Sequence, residues 1–275
     1  MTDDAVAASS PVEAPAAPKP GDTYVQSFAR GLAVIRSFSA EAPSQSLSDV
    51  AARTGLTRAG ARRILLTLEA LGYVECQTRQ FRLTPKILDL GFAYLSSLPW
   101  WNLAEPVMEA LAAEVKESCS VAVLDGSELV YVLRVPAHKT MSINLGVGSR
   151  LPAYCTSMGR VLLAGLPPEE LRRRLGASAL KARTPRTVVD PQALEVLIGQ
   201  VREQGWCLVD QELEEGLVSL AAPICDRSGR TIAALNVSGQ ADRTPPARLQ
   251  EHVLPKLRSA ANRISHLLSM KAARL

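Results

Sequence analysis

Arg58, Arg62 and Arg63 lie within six residues of one another, and Arg79 and Arg82 follow closely. Guanidinium groups grouped like this suit phosphate oxygens, or the O6 and N7 acceptors of guanine where one fork reaches a base edge. Three other fragments invite a catalytic reading. Cys155-Thr-Ser-Met-Gly159 approaches a G-x-S-x-G nucleophile elbow but lacks the first glycine, on which the tight strand-to-helix turn depends. Gly146-Val-Gly148 lacks the third glycine of a dinucleotide loop. His138, His252 and His266 have no Cys or carboxylate at metal-ligand spacing. The arginines therefore carry the clearest chemistry.

The elements that must hold those arginines can be read one at a time. Ser46 precedes Leu47, with Asp49 three residues on, a capping box that opens a helix whose apolar face is Leu47, Val50 and Ala51. Gly55 stops it, because glycine adopts the left-handed conformation of a tight reversal. Thr57 caps a second helix, with Ala61, Ile64, Leu65, Leu68 and Leu71 as its expected buried stripe. Gly72 ends it, and Tyr73–Gln77 and Gln80–Thr84 alternate as a hairpin around Thr78-Arg79. Helix, turn, helix and two-stranded wing make a winged helix-turn-helix, in which the early residues of the second helix reach base edges. The candidate DNA contacts are Ser46 at the first helix entry, then Thr57, Arg58, Ala59, Arg62, Arg63 and Arg79, with small Ala59 and Gly60 allowing close approach. An ordinary helical hairpin with a solvated arginine face is the alternative.

The 275 residues allow two domains with real cores, and 47% hydrophobic with 21% charged residues is ordinary for a soluble chain. The +4 charge is uneven: residues 1–22 carry one lysine and four acids, whereas residues 23–99 carry nine bases and five acids. That excess falls where nucleic-acid contact requires it. Five widely spaced cysteines without a C-x-x-C pair support neither a disulfide framework nor a zinc knuckle, and the expected compartment is the reducing cytoplasm. No apolar run spans a bilayer, the start lacks a signal-peptide pattern, and residues 1–22 read as a disordered tail.

The expected domains are the tail at 1–22, the winged helix-turn-helix at 23–84, a linker helix at 85–99 and a second domain at 100–275. An opening helix, Gln26 to Ser39, carries Phe28, Leu32, Ile35 and Phe38 at helical spacing. The linker helix, with Ile87, Leu88, Leu90 and Tyr94, packs either on a partner subunit or within its own. Beyond it, Leu103 to Val115 reads as a helix. Cys119–Leu124, Glu128–Val135 and Thr140–Leu145 read as strands, the first two joined at Asp125-Gly126. A helix from about Thr156 to Ala164 follows, then one opened by Pro167-Pro168 and one capped by Asp190-Pro191. The strands Cys207–Leu213, Val218–Cys225 and Thr231–Ser238 lead to a long final helix opened by Thr244-Pro245. This order predicts an α+β domain on an antiparallel sheet.

Tyr24-Val-Gln-Ser-Phe-Ala-Arg-Gly-Leu32, the module from Leu47 to Tyr73, the segment from Arg150 to Ala164 and Gly216-Leu-Val-Ser-Leu-Ala-Ala-Pro-Ile224 together resemble an IclR-type transcriptional regulator. The segment from Ser142 to Gly159 resembles most the subgroup that governs aromatic-acid breakdown through the β-ketoadipate pathway. The resemblance implies a GAF-like effector-binding second domain and a homodimer, often a dimer of dimers, on a palindromic operator. It also implies activation more often than repression, through RNA polymerase, in response to a small aromatic or dicarboxylic acid such as protocatechuate, 4-hydroxybenzoate or β-ketoadipate. By position it carries the effector pocket to Thr156, Ser157, Met158, Asp210, Ser219, Asn236 and Ser238. Backbone N–H groups at a helix start and nearby hydroxyls suit a carboxylate. Asp210 fits only a ligand hydroxyl, unless it is protonated or paired. Arg134 and Arg150 are each placed to supply counter-charge or to act as surface or structural arginines.

No cofactor, metal site, membrane partner or enzymatic activity is expected. The alternatives are a repressor of another small-carboxylate operon, a hydrolase with Ser157 as nucleophile, and an architectural DNA-binding protein that needs no ligand.

Overall fold

The computed structural model describes residues 24–98, 101–136 and 145–272. The chain divides into two compact units between Phe92 and Ala93. In the first, helix α1 (Gln26–Arg36), strand β1 (Gln45–Ser46), helices α2 (Leu47–Thr54) and α3 (Arg58–Ala70) and strands β2 (Val74–Gln77) and β3 (Gln80–Leu83) precede a 3-10 turn at Pro85–Ile87, and the division falls inside helix α4 (Leu88–Ser97). The capping box forms as the sequence predicts: Ser46 Oγ accepts from Asp49 N at 3.3 Å, and Ser46 N donates to Asp49 at 2.9 Å. Gly55 closes α2 at φ +66°. Thr57 Oγ1 then accepts from Gly60 N at 3.1 Å and opens α3.

Val34, Val50, Ala51, Ala61, Leu65, Leu68, Val74 and Phe81 form the core of this unit. The expected stripe is narrower than the periodicity suggested. Leu71 lies past the last turn of α3 and is 53% exposed, while Phe28 and Leu32 on α1 are 68% and 41% exposed. Helix α1 ends at Arg36 rather than Ser39. β1, only two residues long, pairs with β3 and completes a three-stranded sheet, too short a strand to leave an alternation in sequence.

After α4 the second unit continues with α5 (Trp101–Val115), β4 (Ser118–Asp125), β5 (Glu128–Val135) and β6 (Arg150–Pro152). Helices α6 (Ser157–Ala164), α7 (Pro168–Gly176) and α8 (Pro191–Gln204) follow, then β7 (Cys207–Asp210), β8 (Leu217–Cys225) and β9 (Thr231–Gln240). The chain closes with α9 (Pro246–Arg248), a π-helical turn at Leu249–Val253 and α10 (Leu254–Ala272). The π turn has a local cause: Pro255 has no N–H to offer the carbonyl of Glu251, so the ladder widens just before it. Residues 140–144 of the expected third strand lie outside the described residues.

Among the described residues the strands form one antiparallel sheet in the order β6-β5-β4-β9-β8-β7. The expected α+β architecture is found. Alternation sorts the side chains. Val218, Leu220, Leu235 and Val237 face a core shared with α5 and α10, including Met108, Leu111, Leu257 and Ile264. Ala221 and Ala234 face the opposite core, shared with Met158, Leu162 and Leu163 of α6 and Leu194 and Ile198 of α8. Because helices cover both faces, the central strands read as apolar runs interrupted only where a polar residue has a task.

Candidate functional site

In the first unit Arg58, Ala59, Arg62 and Arg63 are exposed on the side of α3 away from buried Ala61, Leu65 and Leu68. None of these arginines makes an ion pair among the described residues. Ser46, half-buried at the entry to α2, bonds Asp49 through both its hydroxyl and its N–H, and those bonds hold the Asp49 carboxyl below its usual range. On the wing, Arg82 Nε pairs with Glu75 at 2.5 Å. Arg79 has no such partner among the described residues and occupies a two-residue turn with Thr78, at φ +49° for Thr78 and +64° for Arg79.

In the second unit a cavity of about 30 Å³ opens between the sheet and the start of α6. Thr156, Ser157 and Met158 line it from the helix, Ser219 from β8, Asn236 and Ser238 from β9, and Tyr131 and Arg134 from β5. Ser219 and Ser238 are direct cross-strand partners, which explains why residues nineteen apart in sequence face the same space. Tyr131 and Arg134 share that face for another reason. Ala122 pairs with Tyr131 and Val121 with Leu133, so Val132 is the extra residue of a bulge and shifts the alternation by one. The volume holds a few waters, at about 10–15 Å³ each, and falls short of the roughly 150 Å³ that holds a benzene ring.

The cavity is built to accept negative charge. Thr156 precedes α6 without capping it, because its hydroxyl donates instead to Pro152 O at 2.9 Å. All eight residues of α6 are buried, and at the far end Arg202 donates to Ala164 O at 2.8 Å and Leu166 O at 2.7 Å. The carbonyl end of the helix dipole is therefore satisfied, while the N–H end faces the cavity. Ser157 Oγ is buried without a hydrogen-bond partner. Asn236 gives its oxygen to Ser120 N at 3.1 Å, which leaves its NH₂ group for the cavity. Arg134, half-buried, makes no ion pair among the described residues.

Close packing fixes this arrangement. A Cβ on Gly159 would lie 2.2 Å from Ala153 O, so only glycine lets the first turn of α6 sit against the preceding loop. At the next position, Arg160 makes a two-pronged bond to Glu212, at 2.7 and 2.6 Å, and a third to Tyr154 O at 2.8 Å. Glu212 also accepts from Val188 N at 3.0 Å. This buried pair, which the sequence reading missed, ties α6 to the loop after β7, whose Leu213 is part of the cavity wall.

Asp210 is not in the cavity. Val209 faces inward, so its neighbour on the strand points away, where Asp210 pairs with Arg186 and accepts from Gln211 Nε2 at 3.0 Å. Arg150 also lies elsewhere, bonded to Asp125 at 2.7 Å and Glu128 at 2.8 Å. Among the described residues, the cavity lining contains no histidine or carboxylate to activate Ser157. Burial pushes the Cys155 thiol up to about 11, far from a thiolate nucleophile. It also pushes the Tyr131 phenol up to about 12.

Residues 27–77 match the family profile described as IclR helix-turn-helix domain, and residues 92–266 match that of the bacterial transcriptional regulator IclR C-terminal. The chain belongs to the IclR family. Among its IclR relatives, the Pca regulon regulatory protein of Pseudomonas putida is 45% identical over 246 residues, 89% of this chain and 84% of that protein. The p-hydroxybenzoate hydroxylase transcriptional activator of Acinetobacter baylyi is 35% identical over 252 residues, 90% of this chain and 93% of that protein. The crystal structure of an IclR homolog from Microbacterium hydrocarbonoxydans, complexed with 4-hydroxybenzoate, superposes with a TM-score of 0.76 at 29% identity and covers 88% of this chain and 98% of that one. The IclR chain described above is thus a DNA-binding transcriptional regulator and not an enzyme.

Proposed function

We propose that this regulator activates aromatic-acid catabolic genes when a hydroxylated aromatic acid or a related carboxylate enters the cavity at α6. One observation carries the reading: an uncapped helix start, an unpartnered buried hydroxyl on Ser157, the free NH₂ of Asn236 and Arg134 converge on one enclosed space. A carboxylate on the α6 N–H groups and Ser157 would supply the missing acceptor. Ser219 and Ser238 across the cavity suit a ring hydroxyl or second carboxylate. The names of the relatives, one of them solved with 4-hydroxybenzoate, favour the aromatic acid.

In this reading Thr57, Arg58, Ala59, Arg62, Arg63 and Arg79 contact an operator, while Ser46 supports the fold of the module. Residues 23–84 bind DNA, residues 85–99 form the linker helix and residues 100–275 bind the effector, in the cytoplasm. A second copy of the chain covers the apolar groove of the first unit, lined by Val25 just before α1, Phe28 and Leu32 of α1, Ile64 and Leu71 beside it and Leu90 of α4. Two modules related by a two-fold axis then read the halves of a palindrome, singly or as a dimer of dimers. The effector changes RNA polymerase recruitment there.

The test is binding to DNA upstream of the regulator's own gene and neighbouring operon, at fixed salt, with and without protocatechuate, 4-hydroxybenzoate and β-ketoadipate. The expected result is tight sequence-specific binding whose footprint or affinity one of the acids alters. A reporter assay reads the sign. Absence of specific binding under every condition would discard the proposal.

A further inference from the structure

We propose that Trp101 couples the α6 cavity to the junction of α4 and α5: an acid held by Arg134 pulls on the bulge at Val132, and the indole passes that displacement to the end of α4. This stands on the effector reading above and names the residue through which occupancy leaves the cavity.

The bulge joins the two faces of the sheet. Val132 is its extra residue and brings Tyr131 and Arg134 to the cavity side, while its own side chain, 1% exposed, lies in the core shared with α5 and α10. The extra residue of a bulge has backbone groups outside the regular ladder, and a buried carbonyl there needs a donor from elsewhere. Trp101 supplies one: its indole Nε1 donates to Val132 O at 3.2 Å. Trp101 is also the first residue of α5, and its backbone N–H donates to Leu98 O at 3.3 Å. Leu95 of α4 and Leu98 just beyond it pack with Trp101 against the same core. One residue thus holds the bulge through its side chain and the end of α4 through its backbone.

The cavity must widen to admit a ring, and its walls differ in how readily they move. The α6 wall is clamped by the close packing at Gly159, the Arg160 bonds to Glu212 and the Arg202 bonds to Ala164 O and Leu166 O. The β5 wall carries the interrupted ladder. It also carries Arg134, half-buried and without an ion pair among the described residues, the cation a carboxylate would draw inward. Motion of residues 132–134 reaches Trp101 directly, because the bonded carbonyl belongs to that segment. The rival reading makes Trp101 a prop that satisfies a buried carbonyl and transmits nothing.

The experiment uses the full-length chain with its tryptophans labelled with nitrogen-15. Three indole N–H resonances are expected, from Trp100, Trp101 and Trp206. Trp101→Phe deletes one and so assigns it; Trp100→Phe and Trp206→Phe assign it by elimination if that variant does not fold. Protocatechuate, 4-hydroxybenzoate and β-ketoadipate are titrated by calorimetry, and one that binds is added at saturation. The Trp101 resonance should then move further than that of Trp206. Trp101→Phe should bind the same acid within about threefold of wild type, while the ceiling of the reporter response at saturating acid falls about fivefold, the lower end of the 5- to 150-fold couplings typical between sites. The ceiling falls because a ligand shifts an equilibrium only by its differential affinity for the two states. A prop would raise the dose for half-response, and enough acid would restore the ceiling. An unmoved Trp101 resonance with acid bound, or a full ceiling in Trp101→Phe, would each overturn the proposal. Wild type that binds none of the acids would instead overturn the effector reading.

Discussion

Ser157→Ala should move two measurements in opposite directions through one atom. Ser157 Oγ is buried without a hydrogen-bond partner, and a group in that state costs about 1–3 kcal/mol of desolvation. Removing it should stabilise the free protein by about 1–2 kcal/mol, raising the melting temperature by about 2–4 °C per kcal/mol for a unit of this size. If the same hydroxyl donates to the effector carboxylate, its loss removes a charge-assisted bond of about 1.5–3 kcal/mol, or roughly 10- to 150-fold in affinity. Calorimetric melting of the free protein and titration with 4-hydroxybenzoate read the two numbers independently. A variant that melts lower and binds the acid as before would refute the reasoning on both counts, because the hydroxyl would then have a partner in the free protein and none in the ligand.

Glu212→Ala should strand the buried Arg160 guanidinium and destabilise the second unit by about 3–5 kcal/mol, checked by urea unfolding followed through the tryptophans. Wild-type stability would mean that Arg160 finds another acceptor. Arg62→Ala should cost about 1–3 kcal/mol of operator affinity with relaxed preference at one base position if it reads a base, checked by competition with base-substituted sites. Unchanged affinity and preference would remove it from the interface. Burial raises the Cys119 and Cys207 thiols to about 12 and Cys155 to about 11, from 9.0. Below pH 9 the thiols are protonated whether folded or not; above it the unfolded chain loses protons that the folded one keeps. Stability should therefore fall from pH 9 toward 11–12, by about 1.4 kcal/mol per thiol at pH 10, and melts at pH 8 and 10 test it.

The winged module was legible because its signals are local. The capping box at Ser46, Gly55 and Thr57 each specify geometry within three or four residues of chain. The antiparallel sheet was legible from short strands grouped in runs with helices between the groups, and the start of α6 from the helical pattern after Thr156. Two features of the cavity were not, and both concern register. Asp210 takes part in a strand whose inward residue is Val209, and nothing within a four-residue strand says which of two neighbours faces in. Tyr131 and Arg134 are three apart, which period-two counting puts on opposite faces, and only the bulge at Val132 brings them together. The bond from Arg160 to Glu212 spans fifty-two positions and has no sequence signal short of the fold.

The tightness of the α6 cavity has a consequence for how the genes would respond. When a binding-competent form is a small fraction of the molecules, apparent affinity falls by that fraction, so an open population of about 1% weakens it about a hundredfold. The concentration that triggers a response is then governed by how firmly Met158, Tyr131 and Leu213 fill the space, as much as by the groups that hold the acid. Trimming one of those apolar side chains would shift the dose at which transcription switches, toward traces of substrate that the closed form ignores. Sensitivity in this regulator is therefore a property that packing can tune without touching recognition.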